Sequence, residues 1–234
     1  FIGGRDVGTA MAMLRTARKS MVPPFEISAF ADPSGAFTTA AAMVARAEKL
    51  LKSAHGQELS GRRVVVFGAT GVVGFASGVI AALHGAAVIL AGHDGVERVA
   101  KAAAEISRRF NVSVDAADGS TEARKAALVA DAEIVFCAGR AGVQILSAVQ
   151  IATAQALLVA ADVNAVPPSG IEGLDAMADG VPLGAGQARG LGALAIGQTK
   201  YQTEFGLFRR MIEAEKPVAF DFRDAFALAR ELAG

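Results

Sequence analysis

A continuously apolar run that breaks into evenly spaced glycines, Arg63-Val64-Val65-Val66-Phe67-Gly68-Ala69-Thr70-Gly71-Val72-Val73-Gly74, constrains this chain more than any other feature. The residues Val64–Phe67 read as a short buried strand, and the segment opening at Gly71 reads as a helix. The chemistry that needs this arrangement is specific. A pyrophosphate must approach backbone N–H groups at a helix N-terminus, where the positive end of the helix dipole lies. A Cβ at the closest points would block it, and Gly74 also lets the helix pack near the strand. The spacing is Gly-x-x-Gly-x-x-Gly rather than the commoner Gly-x-Gly-x-x-Gly, with Ala69 or Thr70 in the middle. In a strand–turn–helix context, Gly68, Gly71 and Gly74 point to dinucleotide binding. A tight structural turn without a ligand is the plainer alternative.

The flanking segments supply that context. Upstream, Asp6–Met21 has helical apolar spacing, Pro23-Pro24 stops it, and Phe25–Phe30 alternates like a strand. The turn Asp32-Pro33-Ser34-Gly35 leads into an Ala-rich helix over Thr38–Ala54, with Thr38 or Thr39 as its cap. His55–Gly61 reads as a linker. Helices are expected at Gly71–His84, Val96–Phe110, Thr121–Val129 and Ile145–Ala154. Strands are expected at Ala87–Ala91, Val112–Ala116, Glu133–Cys137 and Ala156–Ala161. Strands alternating with helices imply right-handed βαβ units and a parallel sheet covered on both faces. From Asp162 to Gly192 the chain is rich in Gly and Pro without a period, a functional loop in this reading. Helices over Gly197–Glu215 and Asp221–Leu232 close the chain. The fold class is therefore α/β, a Rossmann-type sheet with a second, smaller α/β unit and a cleft between them. The expected division is 1–57 (N-terminal substrate unit), 58–190 (dinucleotide-binding unit) and 191–234 (C-terminal helices packing back on the first unit).

Composition narrows the function classes. Hydrophobic residues make up 53% of the 234, enough for a substantial core. Lys plus Arg equals Asp plus Glu at 23 each, which gives no overall pull towards nucleic acid or an anionic membrane. No stretch resembles a membrane span or signal peptide. Cys137 is the single cysteine, so an internal disulfide is impossible, as expected of a cytoplasmic protein; its plainest role is that of a small buried hydrophobe. The second strand of the βαβ unit ends near Gly92-His93-Asp94, and Asp94 lies 20 residues after Gly74. An acid there bonds a ribose 2′-hydroxyl and favours NAD, whereas His93, Arg98 and Lys101 would neutralise the 2′-phosphate of NADP. The alternative for Asp94 is a helix cap.

The catalytic apparatus of several enzyme classes is missing. Tyr201 is the only tyrosine and has no Lys four residues on, and there is no Gly-x-Ser-x-Gly, metal-ligand motif or paired cysteine. None of the histidines (His55, His84, His93) sits where a base is expected. A dehydrogenase with no obvious acid or base suits a substrate whose oxidation releases hydride alone. An N–CH2–N aminal does this, because its own nitrogens stabilise the cation left behind.

Several blocks then carry a resemblance: Phe1-Ile2-Gly3-Gly4, Asp32-Pro33-Ser34-Gly35-Ala36-Phe37-Thr38-Thr39, the glycine loop, Val135-Phe136-Cys137-Ala138-Gly139, Ala161-Asp162-Val163-Asn164-Ala165-Val166-Pro167-Pro168 and Gly192–Gly197. Together they resemble the NAD(P)-dependent methylene-tetrahydromethanopterin dehydrogenases of methylotrophic bacteria along essentially the whole chain. The resemblance implies oxidation of methylene- to methenyl-tetrahydromethanopterin in formaldehyde oxidation, by a homo-oligomer such as a trimer. It implies that Thr70, Gly71, Val72, Val73 and Gly74 hold the pyrophosphate and that Ala138 and Gly139 lie beside the ribose or nicotinamide. Asp162 and Asn164 fall at the C-terminal edge of the sheet, Asp162 towards the cofactor and Asn164 towards the substrate. Asp32, Gly35, Thr38 and Thr39 are expected at the pterin, as is Lys200, which matches a lysine facing the pterin cleft and is the catalytic candidate. Relatives specific for NADP have an arginine in place of His93 and a basic residue in place of Asp94, so this chain is expected to accept NAD as well as NADP. Family members carry a further N-terminal segment, and Phe1-Ile2 reads as the tail of a strand. A methylene-tetrahydrofolate dehydrogenase and a non-catalytic NAD(P) sensor are the alternatives.

Overall fold

The computed structural model describes every residue from Phe1 to Gly234. Its organising strand is the apolar run before the glycines, Arg63–Phe67. Successive side chains of a strand point to opposite faces. Here Val64 and Val66 enter one buried cluster and Val65 and Phe67 another, so the sheet is covered on both sides.

The strands in chain order are β1 (Ala29–Phe30), β2 (Arg63–Phe67), β3 (Ala87–Gly92), β4 (Val114–Asp118), β5 (Ile134–Cys137), β6 (Val159–Asp162), β7 (Asp179–Pro182), β8 (Arg189–Leu191) and β9 (Ala219–Phe220). The helices are α1 (Val7–Ser20), α2 (Ala36–His55), α3 (Val72–Leu83), α4 (Glu97–Phe110), α5 (Glu122–Ala130), α6 (Ala148–Thr153), α7 (Ala193–Glu213) and α8 (Phe222–Ala233). The main sheet runs β4-β3-β2-β5-β6-β8-β7, parallel except for the antiparallel edge strand β7. The order reverses between β2 and β5. Ligands in open α/β sheets bind outside the carboxyl ends of the strands at such a reversal, which here are Phe67-Gly68 and Cys137-Ala138.

The structure departs from the sequence expectations in the strands. The stretch Asp162–Gly192, expected as loop, contains β7 and β8. β9 was not expected either, and it pairs in parallel with β1, which is confined to Ala29–Phe30 rather than running from Phe25. β4 begins at Val114 and not Val112, and α6 begins at Ala148 because Ile145 and Leu146 are tied to Gly170 by backbone bonds. Ile2 bridges Ala31 in parallel, extending the small sheet.

The Ala-rich helix α2 is central. Ala40, Ala41, Ala42, Ala45 and Ala47 are buried, and α3, α7 and α8 all pack on this helix. Small side chains let several helices approach one axis closely, which explains the composition better than propensity alone. No helix is long and apolar enough to cross a membrane.

Candidate active site

The glycine loop joins β2 to α3 within a steric limit that its geometry makes explicit. A Cβ on Gly68 (φ 78°) would sit 2.3 Å from the Ala138 carbonyl oxygen. One on Gly74 would lie 2.5 Å from the Gly68 oxygen. Both glycines are demanded by the protein's own backbone packing. Gly71 differs. Its φ is −83°, and a Cβ would meet nothing closer than the Gly68 oxygen at 3.3 Å. What its missing side chain leaves open is the space outside the turn, at the N-terminus of α3. The first N–H groups of a helix have no partner within it, and no side chain caps this one. Thr70, Gly71 and Val72 line a cavity of about 300 Å³ with Arg5, Phe75, Arg98 and Lys101. An uncapped helix start, a cradle that a side chain at Gly71 would fill and flanking cations fit a dinucleotide pyrophosphate. Val73 and Gly74 complete the first turn.

Ala138 and Gly139 follow β5, with the Ala138 N–H donating to the Phe67 carbonyl at 2.9 Å, so they border the same reversal. His93 and Asp94 follow β3. The expected helix-cap role of Asp94 is not seen, because Val96 occupies the cap position of α4. Instead Asp94 accepts a bond from Arg98 at 3.0 Å, and that bond holds its carboxyl below the usual range. His93 is exposed beside it.

A second cavity, of about 490 Å³, collects Asp32, Gly35 and Lys200, and adds Gly3, Gly4, Arg5 and Glu204. Arg5 lines both cavities, so they adjoin. Its floor is set by the start of α2. Asp32 is fully buried and accepts bonds from the Phe37 N–H (2.7 Å), the Thr38 N–H (3.3 Å) and the Thr38 hydroxyl (2.6 Å). Gly35 holds the N-cap position of α2, and the Asp32 carboxylate reaches in from three residues upstream to take the first-turn N–H groups; the Thr39 hydroxyl turns back to the Gly35 carbonyl at 2.6 Å, and neither threonine caps, contrary to expectation. Burial pushes the Asp32 carboxyl up, those bonds pull it down, and Glu204 raises it further. Thr38 is buried against Asp32 and reaches the cleft only through it. Gly35 has φ 67°, and a Cβ there would touch Lys200 (Cε 3.4 Å, Nζ 3.5 Å), so this glycine makes room for the lysine. The Lys200 ammonium pairs with Glu204 one turn along α7.

Asp162 and Asn164 order loops. The Asp162 carboxylate accepts the N–H groups of Asn164 (2.9 Å), Gly170 (2.6 Å) and Ile171 (3.3 Å), and its burial raises its pKa. The Asn164 amide accepts from Gly142 (3.1 Å) and Val166 (2.9 Å) and donates to the Pro168 carbonyl (2.8 Å), leaving one N–H. Together they fasten the loop after β5 to the loop after β6. Arg5 and Glu204 are the site residues that sequence reasoning did not single out. For Glu204 a signal existed, since a residue four positions after Lys200 on a helix shares its face. For Arg5 there was none, because only tertiary packing brings it to the glycine loop.

A family model described as methylene-tetrahydromethanopterin dehydrogenase, N-terminal, matches residues 1–34. The NAD(P)-dependent methylenetetrahydromethanopterin dehydrogenase of Methylorubrum extorquens is 50% identical over 234 residues, covering 100% of this chain and 79% of that protein. The bifunctional protein MdtA of the same organism is 34% identical over 233 residues, covering 100% of this chain and 78% of its own length. Among solved structures, a transhydrogenase from Sinorhizobium meliloti aligns with a TM-score of 0.53 at 20% identity over 86% of this chain, which spans about half (53%) of that one. Shikimate 5-dehydrogenase from Listeria monocytogenes aligns with a TM-score of 0.51 at 13% identity, covering 97% of this chain and 83% of that one. At such identities the structural likeness establishes the fold alone.

Proposed function

The chain belongs to the NAD(P)-dependent methylenetetrahydromethanopterin dehydrogenases, and from that premise we propose how its own residues carry out the reaction. It is an oxidoreductase that takes hydride from methylene-tetrahydromethanopterin, yielding the methenyl form. NAD(P), when bound, supplies the hydride acceptor. The uncapped start of α3 binds its pyrophosphate through the N–H groups of Val72, Val73 and Gly74, with Gly71 leaving room and Arg5 adding charge. Gly68 holds that turn against the end of β5, Gly74 lets α3 pack on the turn, and Ala138 and Gly139 flank the rest of the cofactor. Asp162 and Asn164 shape the rim from within. Asp94 with Arg98 sets the balance between NAD and NADP, with both accepted.

Lys200, Gly35 and the Asp32 turn receive the reduced pterin. Thr38 positions Asp32, and Thr39 braces Gly35. No residue has to move a proton, because loss of hydride from an N–CH2–N carbon leaves a cation stabilised by its own nitrogens. The work of the protein is to hold two rings in register and keep water away. The observation that carries this reading is the lining of both cavities by Arg5, which sets the glycine loop and the Lys200 cleft side by side.

For this division of labour the proposed units are 1–57, 58–190 and 191–234, with the pterin cleft drawing on the first and last. We also propose a cytoplasmic homo-oligomer. Tyr201, Phe205, Phe208 and Ile212 form an exposed apolar stripe along α7, with Ile212 85% exposed, that a second copy would cover.

A spectrophotometric assay with methylene-tetrahydromethanopterin, run with NAD and NADP, tests the activity. Methenyl product with either dinucleotide is the expected result. Product from methylene-tetrahydrofolate alone would assign the other carrier, and dinucleotide binding without any product would leave a sensor.

A further inference from the structure

Two pairs on α7 have the same spacing and different surroundings. Arg209 and Glu213 form an i,i+4 ion pair with side chains 68% and 58% exposed, a solvated contact on the helix surface. Lys200 and Glu204 form the same i,i+4 pair with both side chains only 26% exposed. The second pair lines the cavity that holds Asp32 and Gly35, and the Lys200 chain lies against Gly35. The Glu204 carboxylate is also close enough to act on the buried Asp32 below it.

On the pterin reading of this cleft given above, we propose that Glu204 is a positioning residue: it holds the Lys200 ammonium over Gly35 and cancels its charge, so that the cleft favours the cation the pterin becomes. The charge balance requires something of this kind. A hydride, one hydrogen nucleus with two electrons, leaves the N–CH2–N carbon for the nicotinamide ring. The positive charge that the oxidised ring loses reappears on the pterin, shared by the two nitrogens, and no proton enters or leaves. An uncompensated ammonium beside that carbon opposes the step, since charges a few ångströms apart in a partly desolvated cleft interact strongly. Glu204 removes the opposition without removing the donor that Lys200 offers to the pterin.

Equilibrium binding separates this role from a structural one. Methylene-tetrahydromethanopterin, with an uncharged aminal, and the methenyl form, a cation, are titrated in the absence of dinucleotide. The proteins are wild type, Glu204→Gln, Lys200→Met and the double variant. The expected result is that Glu204→Gln weakens the methenyl form about tenfold more than the methylene form. Lys200→Met shifts selectivity the other way, towards the methenyl cation, because the opposing ammonium is gone, and the double variant returns towards the wild-type ratio. Equal weakening of both pterins by Glu204→Gln, or a Lys200→Met protein that selectively loses the methenyl form, would overturn the role of Glu204 while leaving the pterin reading intact. A wild-type protein that binds neither pterin would overturn that reading and this inference with it.

Discussion

The cavity at the glycine loop and the cleft at Lys200 meet at Arg5, yet they are built on opposite principles. The first is made of backbone. Gly68 and Gly74 are fixed because a Cβ there would lie 2.3 and 2.5 Å from backbone oxygens, and the attraction for anions comes from N–H groups at a helix start. The second is made of side-chain charge, with a buried carboxylate, a half-buried ammonium and a second carboxylate balancing one another. A backbone cradle tolerates almost no substitution and keeps its function under changes of charge. A charge-balanced cleft tolerates shape changes and answers to every charge that is moved.

The largest effect is expected in the cradle. Gly68→Ala and Gly74→Ala each drive a Cβ into backbone and should destabilise the fold by about 2–4 kcal/mol in chemical denaturation. Gly71→Ala has a nearest contact of 3.3 Å and should stay within about 1 kcal/mol of wild type. If all three glycines proved equally costly, the distinction between packing glycines and the ligand-facing one would fail. Next in size, Lys200→Ala should lower turnover with the pterin by about tenfold or more while the dinucleotide Kd stays within about twofold. Steady-state kinetics with a separate cofactor titration decides it, and parallel losses in both would merge the two regions.

A smaller effect concerns Asp32. Burial raises its carboxyl above the ordinary value of 3.8, so the folded chain keeps this proton to higher pH than the unfolded chain does. Its contribution to stability is therefore greatest below the ordinary value and is lost as pH rises through the raised one. Asp32→Asn removes that dependence. The stability of wild type relative to Asp32→Asn should fall as pH rises through the acid range, and a rise would reverse the assignment. The smallest effect is expected at Asp94, which is partly exposed and paired with Arg98. Asp94→Ala frees the guanidinium and should shift the NADP to NAD preference by only about two- to fivefold.

The two regions also differed in how plainly the chain announced them. The glycine loop is local: strand, turn and helix lie within a dozen residues, and sterics alone dictate the glycines. The helices were readable for the same reason, their periodicity being local. Strands β7 and β8 were not. Asp179-Gly180-Val181-Pro182 carries a glycine and a proline, and Arg189-Gly190-Leu191 is too short to show alternation, so only the pairing of β8 with β6 and of β7 with β8 makes them strands. The Lys200 cleft was half readable. The turn at Asp32 and the lysine could be named, but Arg5 joins them only through packing. The inward direction of Thr38 and Asn164 depends on hydrogen bonds to residues that the sequence does not mark as neighbours.

Crossed titration tests the division most directly: NAD(P) and methylene-tetrahydromethanopterin are each titrated into wild type, Gly71→Val and Lys200→Ala. Gly71→Val should lose the dinucleotide and keep the pterin, and Lys200→Ala should keep the dinucleotide and bind the pterin more weakly. Normal dinucleotide affinity in a folded Gly71→Val protein would contradict the account.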